Sequence, residues 1–214
     1  MSNIITVTLN QAYDLHYTIS NFRPYKENIV ESALVESGGK GVNISRALSN
    51  NNKANTAFVI LGRENCGQFE KSLQQWGLNY IPLYVQGKIR ENITIHTKDA
   101  PETRICFDNF YLNDEQLGEL FDKLSGYIQN GTIVAFSGRI PRGISTENAL
   151  SFLRKVKDAG ALLAVDCCSF DIEALSELHP WLIKPNEQEI ESLCKRTVTT
   201  IEDALSAAKQ LASV

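Results

Sequence analysis

The sequence lacks the features that mark several large classes of protein. It has no apolar run near the roughly 20 residues that a membrane-spanning helix requires, and its first residues show neither the basic segment nor the apolar core of a signal peptide. Basic residues are fewer than acidic ones, 21 against 25, which argues against a nucleic-acid-binding surface. These absences predict a cytoplasmic protein that binds neither membranes nor nucleic acids.

Disulfide and zinc-binding patterns are missing as well. The five cysteines form no Cys-x-x-Cys pair, and their odd number suits reduced thiols. The three histidines are isolated and show no zinc-ligand spacing. The chain does have an ordinary globular composition, 43% hydrophobic and 21% charged, and a length that suits one large domain.

Short apolar runs alternate with amphipathic helical patterns along the chain. The runs have the length and composition of buried strands, and they are residues 4–9, 54–61, 133–137, 161–165 and 181–183. Asn113, Ser145 and Thr200 each precede a stretch with helical spacing of apolar residues, as helix caps do. The alternation predicts an α/β fold whose sheet is mostly parallel and covered on both faces.

Two segments, approximately 15–36 and 89–110, do not fit that sheet. They are extended in character and half polar, with Ile93 and Ile95 alternating with polar neighbours as in strands that have one wet face. We expect them to form a second, smaller sheet. The last pattern of the chain is a helix, after which an α/β sheet normally continues with a strand, so residues 1–214 are expected to form one incomplete domain.

The most informative stretch is Gly38-Gly39-Lys40-Gly41-Val42-Asn43. Three glycines let the backbone approach a ligand closely, and the free N–H groups of the helix that starts here favour an anion or sugar hydroxyls. The spacing matches neither a P-loop nor a dinucleotide-binding fingerprint. A glycine-rich helix start that binds nothing is the alternative interpretation.

Three further candidates are weaker one by one. Asp14 follows the first predicted strand, where parallel sheets bind ligands, although it could equally be a turn aspartate. Ser137 and Gly138 follow another buried strand and could contact a ligand or form an ordinary loop. Arg90, in the predicted second sheet, suits a phosphate, unless it is a solvated surface residue.

The stretch Lys184-Pro185-Asn186-Glu187-Gln188-Glu189 allows two interpretations. Asn186 and Glu189 are spaced i, i+3 at a helix start, so an amide and a carboxylate can face one hydrated magnesium ion. The same two residues also form the pattern of a helix capping box, which needs no ligand.

In this order and spacing, these elements resemble the PfkB carbohydrate kinases of the ribokinase superfamily. The opening T-x-T-L-N-x-A-x-D, residues 6–14, is similar to that of 1-phosphofructokinases and tagatose-6-phosphate kinases, and residues 38–43, 137–143 and 184–189 match three further elements. The resemblance implies a three-layer ribokinase-like α/β domain with a β-sheet lid and a homodimer formed through the lids. It also implies phosphorylation of fructose 1-phosphate or tagatose 6-phosphate with ATP and Mg²⁺.

The resemblance assigns roles by position. Sugar-phosphate binding would fall to Asp14, Gly38, Gly39, Lys40, Asn43, Arg90, Asn92, Arg104, Ser137 and Gly138. The nucleotide side would be formed by Asp166, Lys184, Asn186 and Glu189, with the last two holding Mg²⁺ through water. No catalytic residue is assigned within the chain, because the general base of the family is an aspartate in a Gly-Ala-Gly-Asp element that is expected beyond Val214.

The chain departs from the family at three places. Gln11 stands where proline is usual, and Arg139 replaces the second serine of the loop. Residues 26–30 read Lys-Glu-Asn-Ile-Val where the branch usually has glycine and then Asn-Arg, so an arginine that binds phosphate would be missing there.

Three alternative functions stay open at this point. The chain could be a sugar-phosphate-binding fragment that is catalytically incomplete. It could be a PfkB kinase for an unphosphorylated sugar or nucleoside, although Arg90 argues against that. A Rossmann-type dehydrogenase is disfavoured by the missing fingerprint.

Overall fold

The computed structural model describes residues 4–98 and 100–212, which form two β-sheets and the helices that cover them. The strands are β1 (Ile4–Thr8), β2 (Ala12–Thr18), β3 (Ser32–Gly38), β4 (Asn55–Gly62), β5 (Tyr80–Val85), β6 (Arg90–His96), β7 (Thr103–Cys106), β8 (Ile133–Ser137), β9 (Leu162–Asp166) and β10 (Leu182–Ile183). The helices are α1 (Lys40–Asn50), α2 (Cys66–Gln75), α3 (Asp114–Ser125), α4 (Thr146–Asp158), α5 (Ile172–Leu178), α6 (Glu187–Cys194) and α7 (Ile201–Ala212). None of these helices is long and apolar enough to cross a membrane.

The larger sheet has six parallel strands in the order β10-β9-β8-β1-β4-β5. Its central strands are mostly apolar and buried, as in β4, where every residue from Thr56 to Gly62 is buried. Helix α1 packs on β1 and β4, and α4 packs on β9. Connections between parallel strands are generally right-handed, and these two run in opposite directions along the sheet, so α1 and α4 are expected on opposite faces. The predicted α/β class and all five predicted strands are confirmed.

The smaller sheet has the strand order β3-β2-β6-β7. Strands β2 and β6 are parallel, while the outer pairs are antiparallel. The sheet begins at Ala12, three residues before the segment expected from the sequence. The expectation that Asp14 lies at the end of the first large-sheet strand is therefore wrong. The chain bends at residues 9–10 and becomes extended again at Ala12, so Asp14 is the third residue of β2.

The helix starts agree with the predicted caps. The Asn113 side chain accepts a hydrogen bond from the backbone N–H of Gln116, and that of Ser145 accepts one from Asn148. Before α7, Thr200 Oγ1 accepts from the N–H of Asp203, whose Oδ2 accepts in return from the N–H of Thr200. All these contacts span three residues, which is why the sequence alone predicts them.

One asparagine and one tyrosine attach the smaller sheet to the larger one. Asn65 donates from Nδ2 to the carbonyl of Ile89 over 2.9 Å and accepts from the Ile89 N–H over 2.8 Å. The Tyr13 hydroxyl donates to the carbonyl of Asn65 and accepts from the N–H of Phe69. These bonds fix the bases of β2 and β6 against the start of α2.

Candidate active site

The larger sheet has a switch point between β1 and β8. From β1 the chain moves outward through β4 and β5, then returns to the other side of β1 and moves outward through β8, β9 and β10. Open α/β sheets bind ligands in the crevice at the carboxyl ends of the two strands where the direction reverses. Here those ends are Thr8 and Ser137, which are register partners.

Helix α1 starts directly above this crevice. Its cap residue is Gly39, at φ +140°, and no side chain caps its first N–H groups. A Cβ on Gly41 would lie 2.2 Å from Thr8 Oγ1 and 3.2 Å from Ser137 Oγ. Only glycine keeps this space between the helix and the strand ends clear, so the backbone can approach a ligand from above.

Five buried polar atoms around the crevice have no hydrogen-bond partner in the described part of the chain. They are Thr8 Oγ1, Gln11 Oε1, Arg90 Nε, Asn92 Oδ1 and Ser137 Oγ. A buried polar atom without a partner costs about 1–3 kcal/mol, so such atoms are rare in native proteins unless a ligand or water completes them. Two of these atoms lie on the paired strand ends, one in the β1–β2 connection and two on β6, and together they indicate a binding site for a polar ligand between the two sheets.

Asp14 reaches the site from β2. Asn92, its register partner on β6, donates from Nδ2 to Asp14 Oδ1 over 2.9 Å. A Cβ on Gly38 would lie 2.6 Å from Asp14 Oδ2, so this glycine makes room for the carboxylate. Asp14 lines a cavity of 340 Å³, whose other lining residues are Glu36, Ser37, Gly38, Asn43, Arg46, Ala47 and Asn50.

Arg90 begins β6, two residues before Asn92 on the same face of the smaller sheet. Burial lowers the pKa of its guanidinium, which is still charged because arginine does not deprotonate in proteins. The Asn109 side chain holds the backbone here, since its Oδ1 accepts from the Arg90 N–H while its Nδ2 donates to Asn10 Oδ1. Sequence reasoning missed Asn109, because its partners Arg90 and Asn10 are 19 and 99 positions away along the chain. Contacts over such separations leave no local sequence pattern.

Arg104, the other lid arginine predicted to bind phosphate, lies farther out. Arg104 and Cys106 are both on β7, and their register partners on β6 are Thr94 and Asn92, respectively. Arg104 is therefore one side-chain row, about 7 Å, farther from the crevice than Asn92. Its backbone is on the predicted lid strand, and its side chain is exposed.

A second, larger cavity of 830 Å³ adjoins the crevice. Residues from the strand ends and from α6 line it, including Arg139, Cys167, Cys168, Ser169, Lys184, Asn186 and Glu189. Asp166, at the end of β9, lies beside it and forms ion pairs with Lys40 Nζ at 2.7 Å and Lys184 Nζ at 3.3 Å. Lys40 Nζ also lies 3.7 Å from Glu189 Oε1.

Lys40 was predicted on the sugar side, but the structure directs its ammonium group toward these carboxylates. Burial lowers the pKa of Lys40, and the hydrogen bond and charge of Asp166, with the charge of Glu189, outweigh that effect and raise it. Lys40 is therefore a cation held against the carboxylates of Asp166 and Glu189 beside the larger cavity.

Asn186 and Glu189 form the capping box that was one of their two interpretations. Asn186 Oδ1 accepts from the Glu189 N–H, and Glu189 Oε2 accepts from the Asn186 N–H. The cap uses one carboxylate oxygen and leaves Oε1 facing Lys40. The two interpretations are thus compatible, because the cap fixes the side chain that faces the cavity.

Comparison with known proteins identifies the family of the chain. Residues 7–214 match the model of the pfkB family of carbohydrate kinases. The chain belongs to this family. It is 30% identical over 211 residues to the 1-phosphofructokinase of Haemophilus influenzae and 26% identical over 207 residues to the tagatose-6-phosphate kinase of Staphylococcus epidermidis. These alignments cover 99% and 96% of this pfkB-family chain, and 67% and 66% of those relatives.

A solved structure shares the fold. Phosphofructokinase-2 from Escherichia coli, in a complex with fructose 6-phosphate, superposes with a TM-score of 0.89 at 22% identity, over 99% of this chain and 70% of that one. The predicted family and the predicted fold, a parallel central sheet with a small second sheet, are confirmed. The pfkB chain described here thus corresponds to about two thirds of the length of such proteins.

Proposed function

We propose that the crevice binds a phosphorylated hexose, fructose 1-phosphate or tagatose 6-phosphate, as the acceptor for phosphoryl transfer from ATP. The observation that carries the proposal is a set of five unpartnered buried polar atoms on the paired strand ends, the β1–β2 connection and β6, together with the Asp14 carboxylate that β6 orients. The names of the relatives support this class of substrate.

Each group has a role that follows from its chemistry. Asp14, oriented by Asn92, accepts hydrogen bonds from sugar hydroxyls. The Thr8 and Ser137 hydroxyls complete the floor under the glycine-lined start of α1. Arg90 supplies positive charge for the phosphate that the sugar already carries. Holding the acceptor in one orientation lowers the entropic part of the barrier to phosphoryl transfer.

The larger cavity would take the nucleotide phosphates, with Lys40 and Lys184 as their cations. Asp166, Asn186 and Glu189 provide hard oxygen donors beside it, and most of these oxygens already accept hydrogen bonds or ion pairs from the protein. That set fits Mg²⁺ held through water, because magnesium keeps several of its waters and takes its other ligands from phosphates. Bound there, the ion would neutralise charge on the transferring phosphoryl group.

The proposal is tested by calorimetric titration of the 214-residue chain with fructose 1-phosphate, tagatose 6-phosphate and unphosphorylated fructose. We expect clear discrimination in favour of a phosphorylated sugar, and loss of that discrimination in Arg90→Ala. Equal affinity of the wild type for fructose and its phosphate would contradict the proposal and favour a kinase for unphosphorylated substrates.

An ATP-dependent assay on the same chain tests the catalytic half of the proposal. The Gly-Ala-Gly-Asp element that supplies the general base in the family does not occur among the 214 residues. We therefore expect sugar-phosphate binding with little ADP release from these residues alone. Robust turnover would show that the general base is not needed or lies elsewhere.

The smaller sheet also supports association of two copies through their lids. One row of apolar side chains crosses all four strands, and it consists of Val35, Leu15, Ile93 and Ile105. The outer two, Val35 and Ile105, are 53% and 45% exposed. Leu15 and Ile93 between them pack against the main core, so only the two ends of the row are open. Exposed apolar side chains of this kind can mark a protein interface, and a second copy of the same sheet would cover Val35 and Ile105.

A further inference from the structure

Asn109 lies where the chain returns from the smaller sheet to the larger one. It follows β7 and precedes α3, and the next residue, Phe110, is buried in the main core. A Cβ on Gly87 would lie 3.3 Å from the Phe110 side chain, so the return segment packs closely against the connection that leads into β6. The backbone at Asn109 is therefore anchored, and its side chain acts from a fixed point.

The Asn109 side chain forms four hydrogen bonds, which join the β1–β2 connection, the start of β6 and the return segment. Its Oδ1 accepts from the Arg90 N–H over 3.2 Å and from the Phe110 N–H over 2.9 Å. Its Nδ2 donates to Asn10 Oδ1 over 3.1 Å and to the Gln11 carbonyl over 3.3 Å. Backbone N–H groups only donate and backbone carbonyls only accept, so these partners fix the orientation of the amide.

These bonds use the full capacity of the amide. An asparagine side chain has two N–H donors and one oxygen with two lone pairs. Asn109 has two partners on its nitrogen and two on its oxygen. A ligand in the crevice would find no free donor or acceptor on it, so any contribution of Asn109 to binding has to act through the residues that it holds.

Two of the residues that Asn109 holds carry unpartnered atoms of the candidate site. Gln11 is fully buried, and its Nε2 donates to the Thr8 carbonyl over 2.7 Å. Among the described residues, Gln11 Oε1, Arg90 Nε and Thr8 Oγ1 have no partner. The chain of hydrogen bonds from Arg90 through Asn109 and Gln11 to Thr8 thus connects the residues that carry three of the five unpartnered atoms.

Gln11 also lies against the glycine-lined start of α1. A Cβ on Gly39 would lie 3.4 Å from Gln11 Cα and 3.0 Å from Thr8 Cγ2. The β1–β2 connection therefore forms part of the surface that α1 faces, and a displacement of Gln11 would change the shape of the crevice.

We propose that Asn109 is a positioning residue for the sugar substrate, because it sets the position of Gln11 relative to Arg90. The inference rests on the proposed function and adds to it a residue that does not touch the ligand. Groups that are held in place before the ligand arrives reduce the entropy that binding has to remove.

A competing role is simple attachment of the smaller sheet to the larger one. Asn65 already provides such an attachment, since it binds both backbone groups of Ile89. A residue that only attaches the sheet would change the free energy of unfolding without changing the affinity of the folded protein. The bond from Asn109 to Gln11 is what predicts an effect on affinity as well.

The first measurement is calorimetric titration of Asn109→Ala with fructose 1-phosphate and tagatose 6-phosphate. For the sugar phosphate that the wild type binds more tightly, we expect the affinity to fall about 10-fold, because the ligand itself then has to order Gln11 and Arg90. The matched control is Asn55→Ala. The Asn55 Nδ2 also has three acceptors, but it lies at the start of β4, at the edge of the sheet opposite to the crevice. This control should lower the free energy of unfolding and leave the affinity unchanged.

The second measurement is a double-mutant cycle with Asn10. Asn10→Ala removes one partner of Asn109 and should weaken sugar-phosphate binding about 2- to 10-fold, as the loss of one hydrogen bond does. In the Asn109→Ala background the same substitution should cause no further loss, because the contact is already absent. Asn10 lies at a half-buried bend, so Asn10→Ala tests the inference even if Asn109→Ala does not fold.

The third measurement is hydrogen–deuterium exchange of the ligand-free protein, followed by peptide mass spectrometry. In Asn109→Ala we expect faster exchange in peptides that contain Arg90 and Phe110, whose N–H groups lose their acceptor. Strand β8 should keep its protection, because the change is local. Faster exchange throughout the chain would indicate general destabilisation and contradict the inference.

The outcomes separate this inference from the proposed function. Asn109 would not be a positioning residue if Asn109→Ala or Asn10→Ala bound the sugar phosphate as the wild type does, or if Asn55→Ala lost as much affinity as Asn109→Ala. Equal losses from Asn10→Ala in both backgrounds would mean that Asn10 contacts the ligand itself, which also contradicts the inference. A wild type that does not distinguish a phosphorylated sugar from fructose would instead refute the proposed function, and the exchange measurement would still show whether Asn109 holds Arg90.

Discussion

Asn92 and Asp14 are register partners on neighbouring strands, and the amide of the first fixes the carboxylate of the second over 2.9 Å. One oxygen of Asp14 is thereby held, and the other lies above Gly38. The carboxylate faces its cavity with an orientation that is set before any ligand arrives. Such preorganisation reduces the entropy lost on binding.

Asp14→Asn tests the use of this carboxylate. The substitution keeps the shape and removes the charge, so hydrogen bonds from sugar hydroxyls lose the stronger, charged acceptor. We expect the affinity for fructose 1-phosphate to fall about 10-fold or more, because hydrogen bonds to charged groups contribute about 1.5–3 kcal/mol. Calorimetry measures the change, with Asp122→Asn on the exposed side of α3 as the control. Unchanged affinity in Asp14→Asn would remove Asp14 from the site.

Gly41→Ala tests whether the space under α1 is needed. The added methyl would lie 2.2 Å from Thr8 Oγ1, so either the helix shifts or the floor of the crevice is blocked. We expect loss of sugar-phosphate binding together with a lower free energy of unfolding. The control is Gly118→Ala in α3, where a Cβ meets no atom within 4 Å.

The Gly118→Ala control should stabilise the fold by about 0.5–1 kcal/mol through helix propensity, with binding unchanged. Urea unfolding and calorimetry on both variants give the comparison. Sugar-phosphate binding that survives in Gly41→Ala would show that the ligand does not occupy the space between α1 and the strand ends.

Tyr13 gives a prediction about alkaline pH. Burial raises its pKa from 10.0 to about 12 and outweighs the hydrogen bond from the Phe69 N–H, which lowers the pKa. The folded state holds this proton more tightly than the unfolded chain does. Its contribution to stability is therefore complete below pH 10 and is lost as the pH rises toward 12.

Tyr13→Phe removes this titration. At pH 8 we expect the variant to be less stable by about 1 kcal/mol, the usual contribution of a buried hydrogen bond. The difference from the wild type should shrink between pH 10 and pH 12. Tyr84, whose pKa is also raised to about 12 by its hydrogen bond to Glu70, is present in both proteins and cancels in the difference. A difference independent of pH, measured by urea unfolding, would contradict the assignment.

Val35→Asp tests the proposed lid interface. The aspartate would place a charge in the apolar row that crosses the smaller sheet, and burying an unpaired charge opposes association. Sedimentation should show a shift from dimer to monomer. Leu34→Asp is the matched control, because Leu34 is 56% exposed on the same strand but points to the other face. An equal shift in both variants, or a wild type that is monomeric, would count against this interface.

Local features of this protein were predictable from sequence, and distant contacts were not. The caps at Asn113 and Asn186 depend on residues three positions apart, so their spacing predicts them. Lys40 and Asp166 are 126 positions apart, and nothing near either residue indicates that they form an ion pair. Asp14 was misplaced because a bend of two residues, 9–10, separates strands that belong to different sheets.

Helix α1 borders both cavities with its first turn. Asn43 lines the smaller one, and Lys40, three residues earlier, contacts the carboxylates beside the larger one. A helical turn is stiff, so the backbone positions of these two residues cannot shift independently. If binding of the proposed sugar substrate shifted the backbone at Asn43, it would also shift Lys40, which lies beside the proposed nucleotide cavity. Binding of one substrate would then change the affinity for the other.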